Sequence, residues 1–255
     1  MKNSSNDFYA ALAPGYDEMT RTRERSGSER QMLQRWLDRY PSTAVFDAAC
    51  GTGLHAVLLA GLGVQVTAAD PSAEMLAMAA HHAQETAVEI TWLQSAMQTP
   101  LPGLRENFQL VLCLGNSLPH LLTEEDLLQS LRNFHDLLQP GGHLVIQLLN
   151  FEKILQAGER IISINRAGAR EFIRFYDFTS PLLTFNVLEI DWAAAPPRHH
   201  LQSTALSPHR ADHLSRALHE AHFANFHIWG DLKFAPYDVE TSVNLVMAAE
   251  KPQRG

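Results

Sequence analysis

Cysteine is scarce: Cys50 and Cys113 are the two in 255 residues, and each lies in an apolar, strand-like run. A secreted disulfide framework needs more, so a reducing cytoplasm is the expected setting. No apolar run reaches the roughly 20 residues of a membrane-spanning helix, and the first twenty residues lack a basic-then-apolar leader pattern. No membrane partner is therefore expected. An excess of positive charge is also missing, with 20 Lys and Arg against 28 Asp and Glu for a net charge of −8. Arg21, Arg23, Arg25 and Arg30 cluster, but Glu18, Glu24 and Glu29 are interleaved with them. A surface built to neutralise phosphates would be basic, so nucleic acid is not an expected partner. Repeats and low-complexity tracts are absent as well.

What is present is the composition of a globular chain, 45% hydrophobic and 19% charged, long enough to bury a core without disulfides or structural metal. We read residues 1–255 as a single domain. The pattern alternates β and α, which implies a mostly parallel sheet with helices on both faces. Helices are expected at 5–20, 29–39, 54–61, 72–85, 123–138 and 208–221. Met32, Leu33, Trp36 and Leu37 form one apolar side of the second. Strands are expected at 44–49, 64–69, 88–93, 108–114, 143–149, 224–229 and 243–250. Thr123 with Asp126 resembles a capping box, and Pro140-Gly141-Gly142 should stop that helix and open the next strand. Between 160 and 206 the rhythm changes to β-type runs at 161–165, 172–178 and 183–192, an expected small antiparallel insertion. The final two strands are separated by a loop too short for a helical crossover and should pair antiparallel. The fold class is thus α/β, a doubly wound seven-stranded sheet with an antiparallel last strand.

The strongest local signal is Val45-Phe46-Asp47-Ala48-Ala49-Cys50-Gly51-Thr52-Gly53, a strand ending in a glycine turn before a helix. Gly51 and Gly53 allow close approach of a ligand to the backbone. Seventeen residues beyond Gly53 the next strand ends in Asp70, a carboxylate placed to accept both ribose hydroxyls of an adenosine. The glycines alone fit a nicotinamide-dependent oxidoreductase equally well, since Gly51-x-Gly53-x-x-Ala56 satisfies the relaxed dinucleotide pattern. Asp47 and the antiparallel final strands argue the other way. A carboxylate just before the turn repels a pyrophosphate and suits a cationic amino-acid ligand.

The runs "FDAACGTG" at 46–53, "CLGNSLPHL" at 113–121 and "LQPGGHLVI" at 138–146 resemble the class I methyltransferases, together with the strand end at Asp70. More narrowly the chain is similar to the glycine N-methyltransferase and glycine/sarcosine N-methyltransferase group. That likeness extends through "YDEMTRTRERSGSE" at 16–29, "NFEKILQAG" at 150–158 and "GDLKFAPY" at 230–237. It implies S-adenosyl-L-methionine as cofactor and S-adenosyl-L-homocysteine as product. By position it implies that Arg25 holds the methionine carboxylate and that Tyr16 lines the same end. Asp47, Ala49, Gly51 and Gly53 would cradle the methionine portion, and Asp70 the ribose. Pro71, Met75, Ala96 and Met97 fall around the adenine, where Ala96 replaces an acid common in the wider class. Leu114, Asn116 and Ser117 would stand beside the reacting methyl.

S-adenosylmethionine carries an already activated methyl, so the chain mainly needs to align a nucleophile and exclude water. An amine needs only its free lone pair. A hydroxyl needs a base, and His120 is the nearest candidate, so His120 and Asn116 are the catalytic candidates. No metal is expected, because the other histidines, including the pairs His81–His82 and His199–His200, lack ligand spacing backed by carboxylates. The glycine-specific relatives place a carboxylate-gripping arginine where this chain has Leu149. The acceptor site is therefore expected to differ, drawing on Tyr16, His120, Asn150, Arg174, Tyr176 and Tyr237. Residues 5–28 should act as an N-terminal lid, and 160–206 should form part of the acceptor pocket. The expected activity is methyl transfer to a small-molecule amine. An O- or S-methyltransferase and a catalytically silent cofactor-binding protein are the alternatives, and homo-oligomerisation is left open.

Overall fold

The computed structural model describes residues 5–253. An N-terminal segment of three helices, α1 (Ser5–Leu12), α2 (Tyr16–Thr20) and α3 (Thr22–Arg39), precedes the sheet. Then β1 (Ala44–Ala48), α4 (Leu54–Ala60), β2 (Gln65–Asp70), α5 (Ala73–Glu85), β3 (Thr91–Gln94) and β4 (Phe108–Cys113) alternate in the expected way. They are followed by α6 (Glu124–Leu137), β5 (Leu138–Leu149) and α7 (Phe151–Ala157). The antiparallel strands β6 (Ile161–Ala167), β7 (Arg170–Thr179), β8 (Leu182–Asp191) and β9 (Arg198–Leu206) come next, and α8 (Ala211–Glu220), β10 (Ala224–Trp229) and β11 (Asn244–Glu250) close the chain.

The main sheet runs β10-β11-β5-β4-β1-β2-β3, with β11 antiparallel to both neighbours and the β5-to-β3 block parallel. Its central strands are apolar on both sides because helices cover both faces. Val45, Leu110 and Leu112 pack with Trp36 and Leu33 of α3 and Ala56 and Leu59 of α4. Phe46, Val111 and Cys113 point the other way, onto Leu127, Leu131 and Phe134 of α6 and Leu214 and Leu218 of α8. The loop after β10 returns as β11, which slots between β10 and β5, as the short connection requires. Thr123 caps α6 by accepting the Asp126 amide at 3.1 Å while its hydroxyl donates to the Asp126 carboxylate at 2.7 Å.

Several expectations shift. The 5–20 helix is broken at Ala13–Gly15, where Pro14 and Gly15 force a tight turn. The 29–39 helix begins seven residues earlier, at Thr22. Residues 22–28 have no apolar period to reveal it. The third strand starts at Thr91 rather than Val88, whose amide instead closes the end of α5 on Ala83. β5 begins at Leu138, before the Pro140-Gly141-Gly142 turn, because Lys251 exchanges backbone hydrogen bonds with Gly141 and Gly142. Two elements were not anticipated. The first is α7, whose Asn150 N-cap and left-handed Gly158 were legible as terminators. The second is β9, whose polar first half is held in the insertion by its pairing with β8 and whose end is buried at Thr204 and Leu206. No helix among the described residues is long and apolar enough to cross a membrane.

Candidate active site

The glycine turn is dictated by crowding on one side and openness on the other. Gly53 has φ +82°, and a Cβ there would stand 2.8 Å from the Ala79 Cβ and 3.1 Å from the Trp92 ring. Gly51 is left-handed as well, but the nearest atom to its missing Cβ is Tyr16 Cε1 at 4.0 Å. The first glycine thus faces open space and the second is packed shut. Ala49, with φ 57°, completes a turn that bends the backbone around a hollow.

That hollow has two chambers, of about 250 Å³ and about 600 Å³. They share Tyr16, Ala49, Gly51, Gly115 and Ser117 as walls. The smaller adds Asp70, Pro71, Met75, Ala96, Met97 and His120. The larger adds Arg25, Leu114 and Arg174. Both open at the carboxyl ends of β1, β2 and β4, where an open α/β sheet presents its ligand site.

Asp70 accepts the Gly51 amide on Oδ2 and the Ser72 amide on Oδ1, each at 2.9 Å. Burial raises its pKa, and those two bonds partly oppose the rise. Each oxygen keeps a further lone pair for a ligand. Ser72, not Asp70, caps α5 through the Met75 amide. Asp47 lies behind the turn, 2% exposed, with Oδ2 lacking any hydrogen-bond partner. Burial first, opposed by His55 and reinforced by Asp70, pushes its carboxyl up to about 6. A cation nearby would offset the cost of that buried charge.

His120 meets the Tyr9 hydroxyl through Nε2 at 2.9 Å, and its Nδ1 has no partner. Burial lowers its pKa to about 4 and drives that of Tyr9 well above the usual phenol range. The pair is therefore neutral at physiological pH, and His120 is a weak base. Arg174 donates from Nε to Ser163 Oγ at 2.7 Å, and among the described residues no carboxylate forms an ion pair with it. Arg25 reaches Glu29 only at 3.8 Å.

Six expected site residues lie outside the walls of the two chambers: Asp47 and Gly53, which sit behind the glycine turn, and Asn116, Asn150, Tyr176 and Tyr237. Asn116, left-handed at φ 64°, accepts the Leu149 amide on Oδ1 at 2.9 Å and so ties β4 to the end of β5. Asn150 is 1% exposed and commits its side chain to Val239, Ser242 and the start of α7. Tyr237 donates within that same network, to Asn150 and Glu152. Tyr176 is buried among Phe151, Phe178 and Phe185, and burial raises its pKa to about 12. Sequence reasoning missed Tyr9, Gln98, Arg21 and Asn165 as wall residues. Tyr9 was legible, two helical turns before Tyr16 on the expected 5–20 helix. The other three carried no local signal.

The histidine expectation needs one correction. Ligand atoms of His81, His82 and Glu85 come within 4.8 Å of one another, because Glu85 lies one helical turn beyond His81. His82 is already engaged, however, by Asp17 at 3.1 Å and by the Thr52 carbonyl.

Comparison with known proteins agrees with this architecture. Residues 45–142 match the family described as "Methyltransferase domain". A glycine/sarcosine N-methyltransferase of Aphanothece halophytica is 28% identical over 89% of this chain and 84% of its own length. One from Halorhodospira halochloris is 26% identical over 98% of this chain and 91% of its own. In structure, an S-adenosylmethionine-dependent methyltransferase from Clostridium acetobutylicum superposes with a TM-score of 0.81 at 14% identity, covering 96% of this chain and 99% of that one, a likeness of fold. With the strand–glycine–helix turn, the Asp70 strand end and the antiparallel β11, these findings make the chain an S-adenosylmethionine-dependent methyltransferase of the class I fold.

Proposed function

We propose that this chain methylates the nitrogen of a small-molecule amine by direct in-line displacement. One observation carries the choice of amine over hydroxyl. The histidine best placed by sequence to act as a base has a pKa near 4 and is already bonded to a protonated tyrosine. An acceptor that must lose a proton to become nucleophilic gains little there, whereas an amine arriving with a free lone pair needs no such base. Close relatives bearing the name glycine/sarcosine N-methyltransferase support the same acceptor atom.

The residues fit the cofactor. When bound, S-adenosylmethionine supplies a sulfonium-activated methyl group that requires no acid or metal to make it electrophilic. Asp70 would accept the ribose hydroxyls. Pro71, Met75, Ala96 and Met97 would enclose the adenine, with Gln98 offering the polar contact that Ala96 lacks. Gly51 and Ala49 would let the methionine portion lie against the backbone, with Arg25 and Tyr16 at its far end. Asp47, whose Oδ2 is unpartnered, would place negative potential behind the cationic part of the ligand. Leu114 and Ser117 would flank the methyl, and Arg174 is the cation available to an acidic group on the acceptor.

Transfer of labelled methyl to a panel of amines, alcohols and thiols, with products assigned by mass spectrometry, tests this reading. An N-methyl product is expected. Free glycine should give a kcat/KM at least about tenfold below the best amine, because Leu149 replaces the charged clamp. O-methyl products, or binding without transfer, would end the proposal. Glycine turnover matching the best amine would mean that another cation, Arg174 first, grips the carboxylate.

The N-terminal segment is proposed to close over the site together with the insertion. Phe8, Leu12 and Met19 pack on Phe172 and Val187 of the insertion sheet. Asn165 donates to the Met19 carbonyl at 2.9 Å, and Arg170 pairs with Glu18 at 3.1 Å. On the other side Asp17 accepts the Thr52 hydroxyl at 2.7 Å and pairs with His82. Saturating S-adenosylhomocysteine should therefore slow tryptic cleavage at Arg21, Arg23, Arg25 and Arg30 several-fold. Equal cleavage rates with and without the ligand would remove Tyr16 and Arg25 from the proposed site.

A further inference from the structure

The larger chamber is short of acid. Arg21, Arg25 and Arg174 reach its walls, against one carboxylate among the described residues, that of Glu24. Arg174 stands on β7, an inner strand of the insertion sheet, on the same side as the buried Phe172 and Val187. Its Nε donates across the ladder to Ser163 Oγ at 2.7 Å, which fixes the plane of the guanidinium. Both terminal nitrogens remain unbonded among the described residues. They form an open fork of the shape that a carboxylate or phosphate fills.

The carboxylates around the insertion are already engaged. Glu189 and Glu18 pair with Arg170 at 2.7 and 3.1 Å, and Asp177 pairs with Arg160. Arg21 joins α2 to α3 in a left-handed conformation and has no ion-pair partner among the described residues. Asn165 of β6 holds that junction against the insertion through its bond to the Met19 carbonyl. Burial lowers the pKa of Arg174; Tyr16 and Tyr176 oppose the shift, and the neighbouring charges of Arg25 and Arg21 add to it. Glu24, exposed on the first turn of α3, pairs with neither arginine.

We propose that the acceptor amine carries a dianionic acid group, a phosphomonoester or a pair of carboxylates, gripped on the insertion side of the chamber by Arg174 and Arg21. This rests on the amine reading above and adds the charge of the acceptor to it. The cofactor does not supply the missing negative charge. It has one carboxylate, assigned to Arg25, and brings an ammonium and a sulfonium of its own. Cofactor binding therefore makes the cavity before Arg174 and Arg21 more positive. Closure over an acceptor without acid would strip water from guanidinium groups left unpaired, which is costly. One carboxylate matches one of them, and a dianion matches both through charge-assisted hydrogen bonds. The clamp belongs to the insertion and not to the end of β5, where Leu149 stands. The acid group is thus held at a different wall from the carboxylate of glycine in the glycine-specific relatives.

Titration calorimetry of the full chain saturated with S-adenosylhomocysteine tests the clamp without turnover. The probes are O-phosphoethanolamine and aspartate, which separate phosphate from dicarboxylate, β-alanine with one carboxylate, and ethanolamine with none. One of the first two should bind at least about tenfold tighter than β-alanine, with ethanolamine weakest. Arg174→Gln should abolish that preference and Arg174→Lys should restore part of it, while S-adenosylhomocysteine affinity stays within about twofold of wild type. Equal binding of all four probes, no binding of any, or a preference intact in Arg174→Gln would overturn the proposal. Should Arg174→Gln fail to fold, Arg21→Gln, at an exposed helix junction, makes the same test with the same outcomes. Product analysis keeps the two readings apart. N-methylation without the dianion preference ends the clamp and leaves the amine function, and a dianion preference with O-methyl products does the reverse.

Discussion

Asp70→Ala should weaken S-adenosylhomocysteine binding by at least about a hundredfold while leaving a folded protein. The proposed ribose contacts are two hydrogen bonds to a charged acceptor, each worth roughly 1.5–3 kcal/mol, and every 1.4 kcal/mol is a factor of ten. The same carboxylate also holds the Gly51 and Ser72 amides at 2.9 Å, so the glycine turn loosens when it is removed. The stability cost should nonetheless stay near about 2 kcal/mol or less, because the fold recovers the cost of keeping a charge buried. That cost is visible in the raised pKa of Asp70. Titration calorimetry and thermal denaturation separate the two effects. Wild-type affinity in a folded Asp70→Ala protein would remove Asp70 from the cofactor site. Preferential binding of a nicotinamide dinucleotide by the wild type would overturn the assignment of S-adenosylmethionine as cofactor. It would leave the ribose role standing, because dinucleotide sites use a carboxylate at the same strand end.

Gly53→Ala should be the most destabilising single-methyl change in the glycine turn, at about 2–4 kcal/mol. Two costs add. A left-handed backbone at φ +82° disfavours any side chain by about 1 kcal/mol, and the new Cβ would overlap the Ala79 Cβ at 2.8 Å and press on Trp92 at 3.1 Å. For a domain of this size each kcal/mol lowers Tm by roughly 2–4 °C, so a fall of about 5–15 °C is expected. Gly63→Ala is the matched control. Gly63 has φ +85° but nothing within 4 Å of a built Cβ, so only the backbone cost of about 1 kcal/mol applies. Equal shifts in the two variants would show that packing of α5 and β3 against the turn contributes nothing. Calorimetric melting of both proteins gives the comparison directly.

The cofactor half of the site was legible because it is local. Asp47, Gly51 and Gly53 lie within seven residues, and Asp70 ends the very next strand, so chain order alone brings them together. The acceptor half was not. Asn150 and Tyr237 looked available in sequence, yet the loop after β10 folds back and engages both in one hydrogen-bond network. Tyr9 and His120 are separated by 111 residues and meet only because α1 crosses the mouth of β4. The loss of basicity at His120 follows from that burial, which its position in a turn could not convey.

Hydrophobic periodicity, turn residues and glycine spacing by themselves determined the alternating α/β order, the antiparallel closure and the place of the nucleotide turn. Each of these is written in neighbouring residues and fixed by backbone sterics or by the 2.0 and 3.6 side-chain periods. Only the tertiary structure decided which polar groups remain free to act. Packing sends Asn116 to the Leu149 amide and leaves Asp47 Oδ2 without a partner. It also leaves Arg174 without an acid among the described residues and one face of the insertion sheet bare. Burial and hydrogen-bond satisfaction depend on what distant segments bring into contact, and it is those two quantities that turn a polar residue into a structural tie or a chemical group.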